Sequence, residues 1–233
     1  MSKILIKLAT KNRPAQFERA IENILETISH THEFKIEVSR DTDDKTFRPH
    51  WFDYENTKFR LEPPTTKIGA INRNMDVITQ QFDWDILINF SDDMKFVTRY
   101  WDIEIVNIFK KNTLDSFLHL NDGYLGEALP TMSVMGREYY ERFFYIYPPC
   151  YASFSCDAEA MFVAQMLGKW HYYPEVLFKH EHPANNVMIP SDDLYESNQL
   201  HMKEDTIIYF KRLKKLFYVN NPSHIPELMK PYL

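Results

Sequence analysis

The first forty residues constrain the fold more than any other stretch. KILIKLA, residues 3 to 9, is an apolar run interrupted by Lys7, and it reads as a strand buried on both faces. TKNRP follows. Pro14 sits where a helix would begin, and its missing N–H costs nothing there. Phe17, Ala20, Ile21, Ile24, Leu25 and Ile28 then recur at helical spacing. FKIEV, residues 34 to 38, is a second strand. Strand, helix and strand in this order imply a crossover and a parallel pair, so the chain opens as an α/β protein.

The pattern continues. KFRLE at 58 to 62 reads as a strand, and Ile71, Met75, Ile78 and Phe82 predict one helix over 67–82. ILINF ends at Ser91-Asp92-Asp93. A helix is expected from Trp101, strands at 116–120 and 131–135, and a helix over 137–144. Another runs from Asp157 to a C-terminal Gly168. WHYYPEVLFKHEHP is strand-rich and ends in His180 and His182. Residues 183–198 read as loop, 203–217 as a helix, and the rest as irregular. No repeat, low-complexity segment or linker interrupts this order. We therefore expect one domain, with a nucleotide-binding and catalytic part at 1–185 and a C-terminal loop and helix at 186–233 packed on it.

Composition narrows the chemistry. There are only five glycines, with no GxGxxG and no GxxxxGK[ST]. A backbone cradle for phosphate is therefore ruled out, and the counter-charge must come from a metal or from arginines. A formal net charge of −6 disfavours a dedicated nucleic-acid binder. The two cysteines, Cys150 and Cys156, have no metal-finger spacing and read as free thiols of a reducing compartment, with a bridge as the alternative. No apolar run approaches the roughly 18 residues of a membrane span, and ILIKLA is too short for a signal-peptide core. The expectation is a soluble, cytoplasmic protein without an integral membrane segment.

Ligands of open α/β sheets sit outside the carboxyl ends of the strands. Here those ends carry Thr10-Lys11-Asn12-Arg13, Ser39-Arg40-Asp41-Thr42-Asp43-Asp44 and Ser91-Asp92-Asp93. Two of the three are rich in carboxylates, which repel unless neutralised. Hard oxygen donors of this kind suit Mn2+ or Mg2+ shared with a substrate diphosphate. Aspartates in such loops also serve as turn and cap residues.

Taken in order, these segments resemble the GT-A-fold nucleotide-sugar glycosyltransferases, in particular the family 2-like group. The matching residues are Thr10, Asn12, Arg13 and Pro14; Asp44-Lys45-Thr46; Gly69, Arg73 and Asn74; and Asp92-Asp93. Cys156-Asp157 opening a helix, and Phe178-Lys179-His180-Glu181-His182-Pro183, extend the resemblance to residue 183. Two positions depart from it. Ser39 stands where the family places a base-contacting aspartate, with Asp41 two residues on, and Ser91 occupies the first position of the family's DxD.

The resemblance implies a GT-A-like, Rossmann-like, mostly parallel sheet flanked by helices, with a helical C-terminal extension. It implies a donor nucleotide-diphospho-sugar, a UDP-sugar being favoured, with contacts from Thr10, Asn12, Arg13, Ser39, Asp41, Gly69, Arg73, Asn74 and Asp92. Asp93, with Asp92 and either His180 or His182, would hold Mn2+ or Mg2+. Asp157 would be the general base of an inverting transfer, with Glu159 in reserve. The acceptor stays open among glycan, lipid, protein and modified nucleic-acid base. Tyr124, Trp170, Tyr172 and Tyr173 are candidates to stack on sugar rings or to pack the core. Lys211, Arg212, Lys214 and Lys215 form a basic strip, either solvated or facing an anionic acceptor or membrane. Two other readings remain. One is a non-catalytic carbohydrate- or nucleotide-binding protein of the same fold. The other is a phosphatase using Asp41-Thr42-Asp43, although Lys45 stands where that motif wants Thr or Val.

Overall fold

A computed structural model of the chain describes residues 1–184, 188–189 and 191–232. In chain order the elements begin β1 (Lys3–Ala9), α1 (Pro14–Thr27), β2 (Glu33–Asp41), β3 (Thr57–Glu62), α2 (Lys67–Asn72), α3 (Met75–Gln81), β4 (Ile86–Ser91) and β5 (Met94–Phe96). They continue with α4 (Trp101–Lys111), β6 (Phe117–Asn121), β7 (Val134–Gly136), α5 (Arg137–Tyr140), α6 (Cys156–Met166), β8 (Trp170–Val176), β9 (Phe178–His180), α7 (Asp193–Gln199) and α8 (Met202–Leu213).

Seven strands form one sheet in the order β3-β2-β1-β4-β7-β6-β8. β1 runs parallel to β2 and β4, and β2 to β3, while β7 is antiparallel to both its neighbours. The expected mostly parallel α/β sheet is what forms. Alternation along β1 separates two apolar layers. Ile4, Ile6 and Leu8 pack with Phe17, Ile21 and Ile24 of α1. Leu5 packs on the other side with Ile68, Ile71, Met75 and Ile78 of α2 and α3. Lys7 is fully buried, and burial lowers its pKa to about 7 against the pull of Glu37. A third apolar cluster joins Met161, Phe162 and Met166 of α6 to Leu213, Phe217 and Met229, which seats the C-terminal extension on α6.

Four local expectations are corrected. The single helix over 67–82 is broken in two at Arg73-Asn74, where Asn74 adopts φ +60°. The break falls at the residue whose guanidinium bonds Asp41 Oδ1, Arg40 O and Pro63 O at 2.9, 3.1 and 2.9 Å. The loop expected over 183–198 contains α7, because Asp192 Oδ1 accepts from the N–H groups of Leu194 and Tyr195 and starts a helix. The helix expected over 137–144 is regular only in Arg137–Tyr140, and the one over 203–217 ends at Leu213. The expected boundary at 185/186 lies outside the described residues. Both cysteines are free, Cys150 exposed and Cys156 buried. Among the described residues no helix is long and apolar enough to cross a membrane.

Candidate active site

The ends of three strands meet side by side. Register places Ala9 opposite both Ser39 and Ser91, so the loops after β1, β2 and β4 open on one edge. A cleft of about 620 Å³ lies there. It is lined by Thr10, Asn12, Arg13, Ser39, Asp41, Asp92 and Asp93 of the expected set, with Lys67 on one wall and α7 on another.

Arg13 is the hub. It is 5% exposed. Its NH1 lies 3.0 Å from Asp92 Oδ1 and 3.9 Å from Asp93 Oδ2, and its NH2 lies 2.7 Å from Asp192 Oδ1. The Tyr195 ring covers the guanidinium at 3.9 Å. Thr10 Oγ1 donates to Asp92 Oδ2 at 2.7 Å, so both oxygens of Asp92 are engaged. Burial, which dominates, raises the Asp92 pKa against the pull of Arg13. Burial opposes ionisation of Asp93 too, but His180 and Lys67 outweigh it and hold Asp93 well below the usual carboxylate range.

A second, two-stranded sheet delivers the histidine. β5 pairs antiparallel with β9, with Met94 opposite His180, and Glu181 N donates to Asp93 O at 2.7 Å. His180 Nε2 therefore stands 3.3 Å from Asp93 Oδ1. Tyr195 OH donates to Asp93 Oδ2 at 2.8 Å. His182 is placed differently. Its Nδ1 accepts from Ala184 N at 3.1 Å, and burial together with His180 lowers its pKa to about 4. Of the two histidines, the one facing Asp93 is His180.

The residues can be tested against a divalent cation. Among the described residues, no group of three or more His, Cys, Asp or Glu side chains is gathered closely enough to hold one. Asp93 Oδ1 is buried without a hydrogen bond and faces the His180 imidazole, which makes a two-donor nest. That suits Mn2+ or Mg2+ whose remaining positions go to diphosphate oxygens and water. Asp92 already accepts one bond at each oxygen, from Thr10 and Arg13, so the nest is formed by Asp93 and His180.

The remaining expected residues divide. Asp157 lies in the first turn of α6 but is not its cap, which is Ser155 at φ +63°. The Asp157 carboxylate accepts from Ala158 N at 2.8 Å and, among the described residues, holds no ion pair. Burial raises its pKa, against Lys67 and His180 nearby. Glu159, expected in reserve as a base, is corrected. It is 1% exposed, bonded to Arg212 Nε and NH2 at 2.8 and 2.6 Å and to Tyr151 OH at 2.7 Å. Asp41 is bonded by Arg73 NH2 at 2.9 Å and Lys11 Nζ at 3.0 Å. Both Asp41 oxygens are thus held by cationic side chains. Ser39 Oγ accepts from buried Lys7.

Arg73, Gly69 and Asn74 do not line the cleft. Arg73 orients Asp41 from behind. A Cβ on Gly69 would lie 2.3 Å from Thr65 Oγ1, so glycine lets the cleft wall approach α2 closely. Asn74 takes the left-handed turn between α2 and α3 and donates to Glu62 Oε1 at 3.3 Å. Asp44-Lys45-Thr46 is a turn lock, in which Asp44 Oδ1 accepts from Thr46 N and Oγ1 at 2.9 and 2.7 Å.

Three cleft residues were missed in the sequence. Asp192 and Tyr195 come from the segment read as loop, where Ser-Asp-Asp-Leu before a short polar helix was the only signal. Lys67 was passed over two residues before Gly69. It lines the cleft, forms no hydrogen bond or ion pair among the described residues, and acts electrostatically on both Asp93 and Asp157.

No protein-family model matches the sequence, and no curated protein matches it. Solved structures do match. The mannosyltransferase PcManGT from Pyrobaculum calidifontis, in complex with GDP-Man and Mn2+, superposes at TM-score 0.67 and 13% identity over 99% of this chain and 68% of that one. S. aureus TarS superposes at TM-score 0.64 and 10% identity over 99% of this chain and 42% of that one. Residues 1–349 of TarS give TM-score 0.57 and 12% identity over 80% of this chain and 63% of that one. The chain thus spans well under two thirds of full TarS. The seven-stranded sheet and these superpositions agree on one architecture: the chain has a GT-A-like glycosyltransferase fold.

Proposed function

We propose that this protein is a divalent-metal-dependent glycosyltransferase that moves a sugar from a nucleotide-diphospho-sugar to an acceptor hydroxyl with inversion. The observation that carries the reading is the meeting of Asp93 with His180 at the strand-end cleft, beside an uncommitted Asp157.

Asp93 and His180 would hold the cation, which when bound neutralises charge on the leaving diphosphate. Arg13 and Lys67 supply protein positive charge to the same cleft, and a guanidinium matches phosphate geometry. Asp92 holds Arg13 in place, and Arg73 with Lys11 fixes Asp41 at the end of β2. Asp157 has the free oxygen a general base requires. It takes the proton from the acceptor hydroxyl as the new C–O bond forms and the sugar–phosphate bond breaks, and the nucleoside diphosphate leaves with the bonding pair.

Thermal melting in nucleoside diphosphates with and without Mn2+ tests the reading. A ligand at a hundredfold excess over its Kd stabilises by about 2.7 kcal/mol, and that gain should require the metal. Asp93→Ala should abolish the metal dependence. If no nucleoside diphosphate shifts the melt in the presence of Mn2+, the reading fails.

A further inference from the structure

The last long helix carries a face that the fold does not use. Lys203, Ile207, Phe210, Lys211 and Lys214 follow one another at helical spacing along α8, and all are exposed. Ile207 is 46% and Phe210 40% exposed, high for side chains of their size and chemistry. The opposite side of the helix is committed to the fold. Leu213 is buried, Asp205 accepts from the N–H groups of Ala152, Ser153 and Phe154, and Arg212 pairs with Glu159. Of the helix's two acids only Glu204 is exposed, at the margin of this face. The apolar surface continues beyond the helix, where Tyr232 meets Phe210 at 5.8 Å between ring centres.

We propose that this face docks on an anionic lipid surface. A chain of net charge −6 gathers lysines here that hold no ion pair among the described residues, between exposed apolar side chains. That combination suits the interfacial boundary of a bilayer. Ile207 and Phe210 enter the acyl boundary, while lysine stems lie along it with their ammonium groups at the headgroups. Each lysine at an anionic surface strengthens binding by about fivefold. An acidic protein would satisfy the lysines but would leave Ile207 and Phe210 without a reason to stand exposed between them. Docking is peripheral, since no described helix can cross the bilayer. It also places the cleft close to the surface, because cleft-lining His201 leads directly into α8. The proposal does not depend on sugar transfer.

The test is cosedimentation of the full chain with vesicles of phosphatidylcholine, alone or mixed equally with phosphatidylglycerol. Partitioning should be at least tenfold stronger on the anionic vesicles and should weaken at high salt. Lys211→Glu with Lys214→Glu should lower it about twentyfold or more. Ile207→Ser with Phe210→Ser should weaken it at low salt without changing the melting temperature. Lys110→Glu with Lys111→Glu, exposed on α4, should leave it unchanged. Equal partitioning on both vesicles overturns the proposal. So does no partitioning at all, an α8 variant that binds like wild type, or a loss from the α4 control as large as from the α8 pair.

Discussion

Asp157 and Glu159 stand two residues apart at the start of α6, and the fold treats them in opposite ways. Glu159 points into the packing between α6 and α8, where Arg212 and Tyr151 take both its oxygens. Asp157 has no such side-chain partners among the described residues and lies near enough to cleft-lining Lys67 to feel its charge. Helical geometry alone separates them by about 200° of rotation, so the two carboxylates meet different surroundings. Residue type does not decide which carboxylate can take a proton. An oxygen already held by a guanidinium is unavailable, and a half-buried one facing a free lysine is available.

The comparison breaks first, and most visibly, on turnover. Asp157→Asn should reduce transfer by about 10²- to 10⁴-fold, the range of general-base catalysis, while the melting temperature and nucleotide affinity stay close to wild type. Normal turnover in that variant removes Asp157 from the chemistry. Glu159→Ala should give the reverse phenotype. It strands Arg212 and the Tyr151 hydroxyl and unties α8 from α6, which costs about 2–3 kcal/mol in stability by chemical or thermal unfolding. The folded fraction should keep its per-molecule rate. A stable Glu159→Ala protein without turnover would mean that the two roles have been exchanged.

Local pattern drew attention to both carboxylates and hid the partner that sets them apart. The alternation in KILIKLA, the helical spacing after Pro14 and the aspartates closing ILINF are short-range signals, and they located β1, α1, β4 and the cleft edge. What completes the site is long-range. Tyr195 reaches Asp93 across 102 positions, and Arg13 reaches Asp192 across 179. The three-residue strands β5 and β9, which set His180 beside Asp93, are too short to carry a period of their own. The break at Arg73 also escaped the apolar spacing of 67–82; it falls where a guanidinium reaches Asp41 at the end of β2. Glu159 looked like a second base because its partner, Arg212, lies on a helix whose basic residues read as a solvated strip.

Lys67 sharpens the comparison further, at a smaller scale. Of the cleft-lining lysines and arginines among the described residues, Lys11 is tied to Asp41 and Asp43, and Arg13 to Asp92 and Asp192. Lys67 holds no such partner while standing near Asp93 and Asp157. Under the proposed function, its charge should meet the distal phosphate. Lys67→Ala should then weaken nucleoside diphosphate binding by about tenfold, roughly 1.4 kcal/mol, and nucleoside monophosphate binding much less. Lys67→Arg should recover most of the difference. Calorimetric titration of the two nucleotides against each variant separates the cases. An equal loss for both would mean that Lys67 acts on the protein's own carboxylates. In that event, Asp157 would owe its open oxygen to Lys67 rather than to its distance from Arg212.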